Sequence, residues 1–269
     1  MTGLFESEPA SELAAAWARL VAAKARLIAA DAPSAQGSAA KALDALYGPL
    51  ARGERWVLGQ MGQSLDGCIA TRTGASHYVT GPESLVHLHR LRALADAVVV
   101  GPNTAAADDP RLTARLVEGP DPVRVVLDLR RMLPPGLRAL SGGVLRIVAR
   151  TDEGGSSPRP GDAGFTDVEV DAPGGRVEPR ALLGVLEERG LRRVLVEGGG
   201  RLVSSFLRAD ALDRLHVVVA PLLVGGGVPG VVPAPVDDLR DAVRPASRSY
   251  SMGVDVLFDL DLRTPSVSE

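Results

Sequence analysis

Residues 193–207 read R-V-L-V-E-G-G-G-R-L-V-S-S-F-L. An apolar run (Val194, Leu195, Val196) predicts a buried strand that ends on one carboxylate, Glu197. Three glycines follow, and then Leu202, Val203, Phe206 and Leu207 recur at helical spacing. Glycine lets backbone approach a ligand closely. The start of a helix offers unpaired N–H groups and a positive dipole end, which together favour an anion. Strand, glycines and helix therefore fit a phosphate cradle. They fit equally a tight strand-to-helix turn that needs glycine for its geometry alone.

Working outward, the rhythm of this segment repeats along the chain. Apolar, β-branched runs at 56–61, 97–101, 123–129, 144–149, 167–171, 215–219 and 254–260 predict strands, and 82–95, 179–189 and 201–209 predict helices. Thr80-Gly81-Pro82-Glu83 reads as a capping box for the first of these helices. Alternation of this kind predicts an α/β fold with a mainly parallel sheet flanked by helices. No helical pattern separates the last two strands, which fits an antiparallel edge. Residues 1–54 form a helical N-terminal extension, with helices expected at 10–30 (Leu13, Trp17, Leu20, Val21, Ala25, Leu27) and 39–50. It is too short for its own core and is expected to pack on the body or on a second subunit. The body spans 55–262, with a glycine- and proline-rich surface loop at 151–165. Residues 263–269 read as a flexible tail.

Bulk properties exclude several function classes. The 269-residue chain is 45% hydrophobic, 23% charged and only 3% aromatic, with a formal charge of −3. Few aromatics and a mild negative charge argue against nucleic acid and anionic membrane as partners. A single cysteine, Cys68, excludes an internal disulfide and fits a reducing cytoplasm. Residues 1–30 lack a signal-peptide pattern, and no apolar run is long enough to cross a bilayer. The four histidines show no metal spacing, no G-x-S-x-G elbow is present, and 198–203 departs from G-x-G-x-x-G at its last glycine. No metal is expected.

Two further segments carry candidate chemistry. Ser64-Leu65-Asp66-Gly67 follows a strand at the sheet edge where ligands bind in α/β proteins, or is a simple turn bent at Asp66-Gly67. Gly101 to Thr113 follows a strand and contains Thr104, Asp108 and Asp109. The two acids serve a ligand or merely stop a helix before Pro110. Arg92, Arg111 and Arg115 flank this segment, either as phosphate donors or as solvated surface charge.

In order, S-L-D-G (64–67) with G-A-S-H-Y-V-T-G (74–81), L-R-A (91–93) leading to V-V-V-G-x-x-T-x-x-x-D-D-P-R-L-T (98–113), and V-L-V-E-G-G (194–199) resemble the pyrimidine reductase domain of riboflavin biosynthesis, over about residues 55–262. The resemblance implies a dihydrofolate reductase-like fold and a homodimer. It implies NADPH-dependent reduction of 5-amino-6-(5-phosphoribosylamino)uracil to its ribitylamino product. By position, Gln63, Tyr78, Thr104, Asp108, Gly199, Gly200, Arg201, Leu202, Val203, Ser204 and Ser205 would hold NADPH. Ser76, Arg92, Leu112, Arg115 and Glu197 would hold the substrate, the arginines meeting its phosphate. No catalytic acid or base is implied.

The chain departs from the family pattern at several positions. Gln60 stands where the family usually has lysine, Cys68 where a basic residue often follows, Tyr78 where tryptophan is common, and Leu129 where serine often stands. Arg130 and Arg131 lie near enough to meet the 2′-phosphate of NADPH. Gln60 motivates an alternative, a reductase of another pterin-, folate- or pyrimidine-like substrate. A nucleotide-binding protein without activity is a third reading. Residues 1–54 contain neither cysteine nor histidine, so any deamination in the same pathway is expected of another chain.

Overall fold

The computed structural model describes residues 10–26, 37–77, 79–150 and 164–265. Strands β1 (Trp56–Ser64), β2 (Cys68–Ala70), β3 (Ala97–Val100), β4 (Val123–Leu127), β5 (Val144–Ala149), β6 (Phe165–Val170), β7 (Arg193–Glu197), β8 (Arg214–Ala220), β9 (Val228–Pro229), β10 (Pro245–Met252) and β11 (Asp255–Pro265) alternate with helices. The helices are α1 (Ala10–Lys24), α2 (Ser38–Arg52), α3 (Pro82–Leu94), α4 (Pro102–Asp108), α5 (Pro179–Glu187) and α6 (Gly200–Arg208).

Nine strands form one sheet in the order β10-β11-β8-β1-β7-β3-β4-β5-β6, and β2 pairs with β9 in a small second sheet. From β8 to β6 the pairing is parallel, whereas β11 runs antiparallel to β8 and β10 antiparallel to β11. The expected antiparallel edge is present. β7 lies between β1 and β3, so the strand order reverses there, and the crevice beyond those strand ends is where ligands bind in open α/β sheets.

All eight expected strands form, and α4 and three strands join them. β10 escaped the sequence reading because it is an edge strand: only Tyr250 and Met252 turn into the core, and Ser247, Ser249 and Ser251 alternate with them on the other face. Its pairing carries β11 on to Pro265, opposite Pro245, so residues 263–265 of the expected tail belong to the sheet, and residues 266–269 lie outside the described residues. The expected capping box is not made. Gly81 is the N-cap of α3 and donates its N–H to Asp255 Oδ2 at 2.7 Å. The side chain of Thr80 instead fills the space over Gly62, where a Cβ would meet Thr80 Cγ2 at 2.7 Å.

The two faces of the sheet are buried differently. α5 and α6 cover one with an apolar cluster that includes Val99, Val196, Leu182, Val203 and Phe206. α1, α2 and α3 cover the other, where Trp17, Leu20, Leu43, Leu46 and Leu50 join Leu58, Leu195, Val218 and Leu257. The extension thus packs on the body. Lys24 caps the end of α3, donating to Ala93 O at 3.1 Å and Ala95 O at 2.7 Å, while burial lowers its pKa to about 8. Leu27, at the end of the expected first helix, and residues 151–163 of the expected loop lie outside the described residues.

Candidate functional site

Strand register builds the site. Asp259 lies opposite His216, His216 opposite Gln60, and Gln60 opposite Glu197. One polar row therefore crosses β11, β8, β1 and β7 on the face beneath α3, since residues in register point the same way. All four residues are buried.

Glu197 ends β7 and is held by Arg92 of α3. Arg92 Nε donates to Oε1 at 2.8 Å and Nη2 to Oε2 at 2.7 Å, the forked geometry of a strong pair, and Nη1 donates to Thr113 O at 3.2 Å. Burial opposes the guanidinium charge, but Glu197 outweighs it and raises the Arg92 pKa above its ordinary value. Arg92 was expected to meet the substrate phosphate, and the structure places it instead as the clamp that orients Glu197. Arg111 and Arg115 are exposed on the segment after α4. Burial, followed by the charges of Arg92, Arg111 and Arg138, lowers the Arg115 pKa, so positive charge is concentrated there. Leu112 is buried in the core with a left-handed φ of 57°, so it offers a ligand backbone rather than side chain.

The cofactor candidates divide in the same way. Gly198 has a φ of 118°, and a Cβ there would meet Thr104 Oγ1 at 2.8 Å. A Cβ on Gly200 would meet Gly230 O at 2.1 Å. The protein's own packing requires glycine at both, as the plain-turn reading holds. The N-caps Gly101 of α4 and Gly199 of α6 differ: a Cβ would meet nothing within 4 Å at Gly101 and only Thr104 Oγ1, at 3.9 Å, at Gly199. Thr104 sits between them and accepts from Gly199 N at 3.2 Å. The open space over these helix starts fits a dinucleotide phosphate.

Within α6, Val203 points into the core, Ser204 Oγ accepts from Val232 N at 2.8 Å, and Ser205 Oγ donates to Leu202 O at 2.7 Å. The first turn, Gly199 to Leu202 with exposed Arg201, is what remains for a ligand. Asp108 accepts from Ser76 Oγ at 3.4 Å, bringing one substrate and one cofactor candidate together. Asp109 is the left-handed C-cap of α4 and binds Arg138 Nε and Ala139 N, as the helix-stop reading holds. Arg131 lies beside Glu169 and Asp167, whereas Arg130 stays exposed after β4. Tyr78 lies outside the described residues.

Ser64-Leu65-Asp66-Gly67 is a turn, with Gly67 N donating to Ser64 O at 3.0 Å, and it also anchors a strap. Asp66 Oδ2 accepts from Gly225 N at 2.7 Å and Oδ1 from Val224 N at 3.1 Å, while Gly230 N donates to Gly67 O. The Ser64 hydroxyl and these backbone donors lower the Asp66 pKa to about 2. Gln63 lies against the same strap, its Oε1 2.5 Å from where a Gly230 Cβ would stand.

Sequence reasoning missed a buried hydrogen-bonded chain. Tyr47 OH meets His87 Nδ1 at 2.7 Å, His87 Nε2 meets His216 Nδ1 at 3.2 Å, and His216 Nε2 meets Asp259 Oδ1 at 3.1 Å. Arg214 holds both Asp259 oxygens, at 3.0 and 2.6 Å. An ionised Asp259 accepts only, so His216 donates from Nε2, His87 from Nε2, and Tyr47 from its hydroxyl. Each partner comes from a different element, so no local spacing could have shown the chain.

Residues 55–244 match the RibD C-terminal domain, and the chain belongs to that family. It is 35% identical over 217 residues to the 2,5-diamino-6-ribosylamino-4(3H)-pyrimidinone 5′-phosphate reductase of Methanothermobacter thermautotrophicus, covering 77% of this chain and 98% of that one. It is 35% identical over 205 residues to the riboflavin biosynthesis protein RibD of Mycobacterium tuberculosis, covering 74% of this chain and 52% of that one. The chain thus spans about half the length of that relative. The structure is similar to the deaminase/5-amino-6-(5-phosphoribosylamino)uracil reductase of Thermotoga maritima, with TM-score 0.65 and 26% identity over 84% of this chain and 62% of that one. Among the described residues, no helix is long and apolar enough to cross a membrane.

Proposed function

We propose that the chain is an NADPH-dependent reductase that converts a ribosylaminopyrimidine 5′-phosphate to its ribitylamino product. The observation that carries this is the buried Arg92–Glu197 clamp at the strand-order reversal, beside the open glycine N-caps Gly101 and Gly199. Bound NADPH would supply the hydride that reduces C1′ of the opened ribose. Gly199 to Leu202 and Thr104 receive its phosphates, and the exposed Arg130 suits the 2′-phosphate. Arg111 and Arg115 take the substrate phosphate. Glu197 keeps lone pairs beyond the two that Arg92 uses, and these accept from polar groups of the substrate.

Purified protein should oxidise NADPH with the phosphoribosylaminopyrimidine. Turnover only with a dihydropterin would favour the second reading that Gln60 motivates, and NADPH binding without turnover would leave a nucleotide-binding protein. A reducing cytoplasm suits the lone cysteine. We also propose a homodimer. Ser247, Ser249 and Ser251 of β10, Val256, Phe258 and Leu260 of β11, and Leu215, Val217 and Val219 of β8 share one sheet face, in register and without a charge. An uncharged face meets its own copy without repulsion, as a two-fold contact requires. Sedimentation should give a dimer that Phe258→Asp dissociates.

A further inference from the structure

Arg111 and Arg115 stand between α4, which ends at Asp108, and β4, which starts at Val123. This stretch forms neither helix nor strand, and the charges of Arg92, Arg111 and Arg138 all bear on Arg115. Like charges push the loop away from α3, and a loop without ladder bonds of its own takes its position from what grips it. Four side chains do so. Arg92 Nη1 donates to Thr113 O at 3.2 Å, and Asp121 Oδ1 accepts from Ala114 N at 2.7 Å. His89 Nδ1 accepts from Leu116 N at 3.4 Å, and Trp17 Nε1 donates to Glu118 O at 2.7 Å. The backbone is therefore held immediately before Arg115, immediately after it, and again at Glu118. Gly119 seats the end of the turn: its φ is 142°, and a Cβ there would meet Ala93 Cβ of α3 at 2.7 Å and Val21 Cγ2 of α1 at 3.7 Å.

Three of the four grips come from the body, and the fourth comes from the N-terminal extension. Trp17 is 5% exposed, with Tyr47 edge-on at 5.7 Å and the Arg90 guanidinium 5.6 Å from its ring centroid. α2 and α3 thus fix the indole, and its N–H leaves that packing for the loop. His89 carries its proton on Nε2, because Nδ1 accepts, and that buried N–H has no hydrogen-bond partner among the described residues. An unpaired buried donor costs stability, so the bond that this ring is fitted to make is the one to the loop. We propose that the extension is a working part of the substrate site, with Trp17 as a positioning residue that, together with His89, holds the loop of Arg111 and Arg115 where those arginines meet a phosphate monoester. This rests on the reading that the two arginines take the substrate phosphate. Trp17 touches neither substrate nor cofactor; it acts through the loop, so it governs how well the phosphate is held rather than the hydride step.

The test uses the full chain and ribose 5-phosphate as the probe, titrated by calorimetry, which needs no turnover. Arg115→Ala should weaken ribose 5-phosphate binding about 10-fold or more. Trp17→Phe removes the N–H and keeps an aromatic ring. It should weaken ribose 5-phosphate binding about 5-fold and raise KM for the phosphorylated substrate by the same factor, with kcat and NADPH affinity unchanged. Gly119→Ala lifts the same turn from α1 and α3 without entering the core of the extension. It should give the same selective loss, and it decides the matter if Trp17→Phe does not fold. A loss in Arg115→Ala with none in Trp17→Phe or, failing its folding, in Gly119→Ala would overturn this proposal alone. So would an equal loss of NADPH affinity in Trp17→Phe, which marks a general loss of structure. No ribose 5-phosphate binding by the parent chain, or none lost in Arg115→Ala, would remove the phosphate reading itself and this proposal with it.

Discussion

The two faces of the sheet are made from the same strands and do different work. Under α5 and α6, the buried cluster is apolar, with Val57 and Val99 of the sheet packed against Val203 and Phe206 of α6. Under α1 to α3, the sheet carries Asp259, His216, Gln60 and Glu197 in one row, with His87 and Arg92 of α3 bonded to its members. Burying ionisable groups costs free energy unless every one finds a partner. The first face therefore stores stability, and the second gives some up to hold polar groups in fixed positions. α3 is the element that makes this possible, since His87 and Arg92 tie it to β8 and β7 on either side of Gln60.

That contrast breaks first at Glu197. Glu197→Ala leaves the Arg92 guanidinium buried and unpaired, which costs about 3–5 kcal/mol. It should abolish NADPH oxidation while leaving NADPH affinity of the folded protein unchanged, as read by denaturation and fluorescence titration. A variant that still turns over would remove Glu197 from the site. On the apolar face, Leu182→Ala should cost about 2–4 kcal/mol of stability, with activity per folded molecule unaltered. A loss of specific activity there would mean that the division between faces is false. Tyr47→Phe leaves His87 Nδ1 without its donor and should cost about 1–3 kcal/mol. An unchanged denaturation midpoint would show that the buried chain does not hold the extension.

The smallest effect is on pH. Burial first, then the charges of His216 and Arg90, hold the His87 pKa well below its ordinary value. Burial also lowers that of His216 against the pull of Asp259, and His89 falls to about 4. These groups bind protons more readily unfolded than folded. Stability is therefore complete above the unfolded value of about 6.5 and is lost as pH falls through it, by up to about 1.4 kcal/mol per unit for each histidine. Denaturation midpoints between pH 7.5 and 5 should fall less steeply for His87→Gln than for the parent chain.

Much of the fold was legible because period-two and helical spacings are local. The eight apolar runs became strands, and Glu197 with its glycines fell at the end of a buried one. Local patterns failed where a second element decides the outcome. β10 is serine-rich and is a strand because β11 pairs with it. Thr80 reads as a cap and is instead the filler over Gly62. Arg92 reads as a phosphate ligand and is instead the partner of Glu197. Tyr47, His87, His216 and Asp259 are far apart in the chain and meet only through the sheet and the helices on it.

The sequence by itself determined the alternating strands and helices, the family motifs and the glycine-bounded end of β7, because each is written in contiguous residues. Only the tertiary structure decided which polar groups spend their hydrogen bonds on one another and which remain for a ligand. That distinction depends on register between strands 43 to 156 residues apart. Burial makes it consequential, since a polar group away from water must be paired by the protein or by what the protein binds.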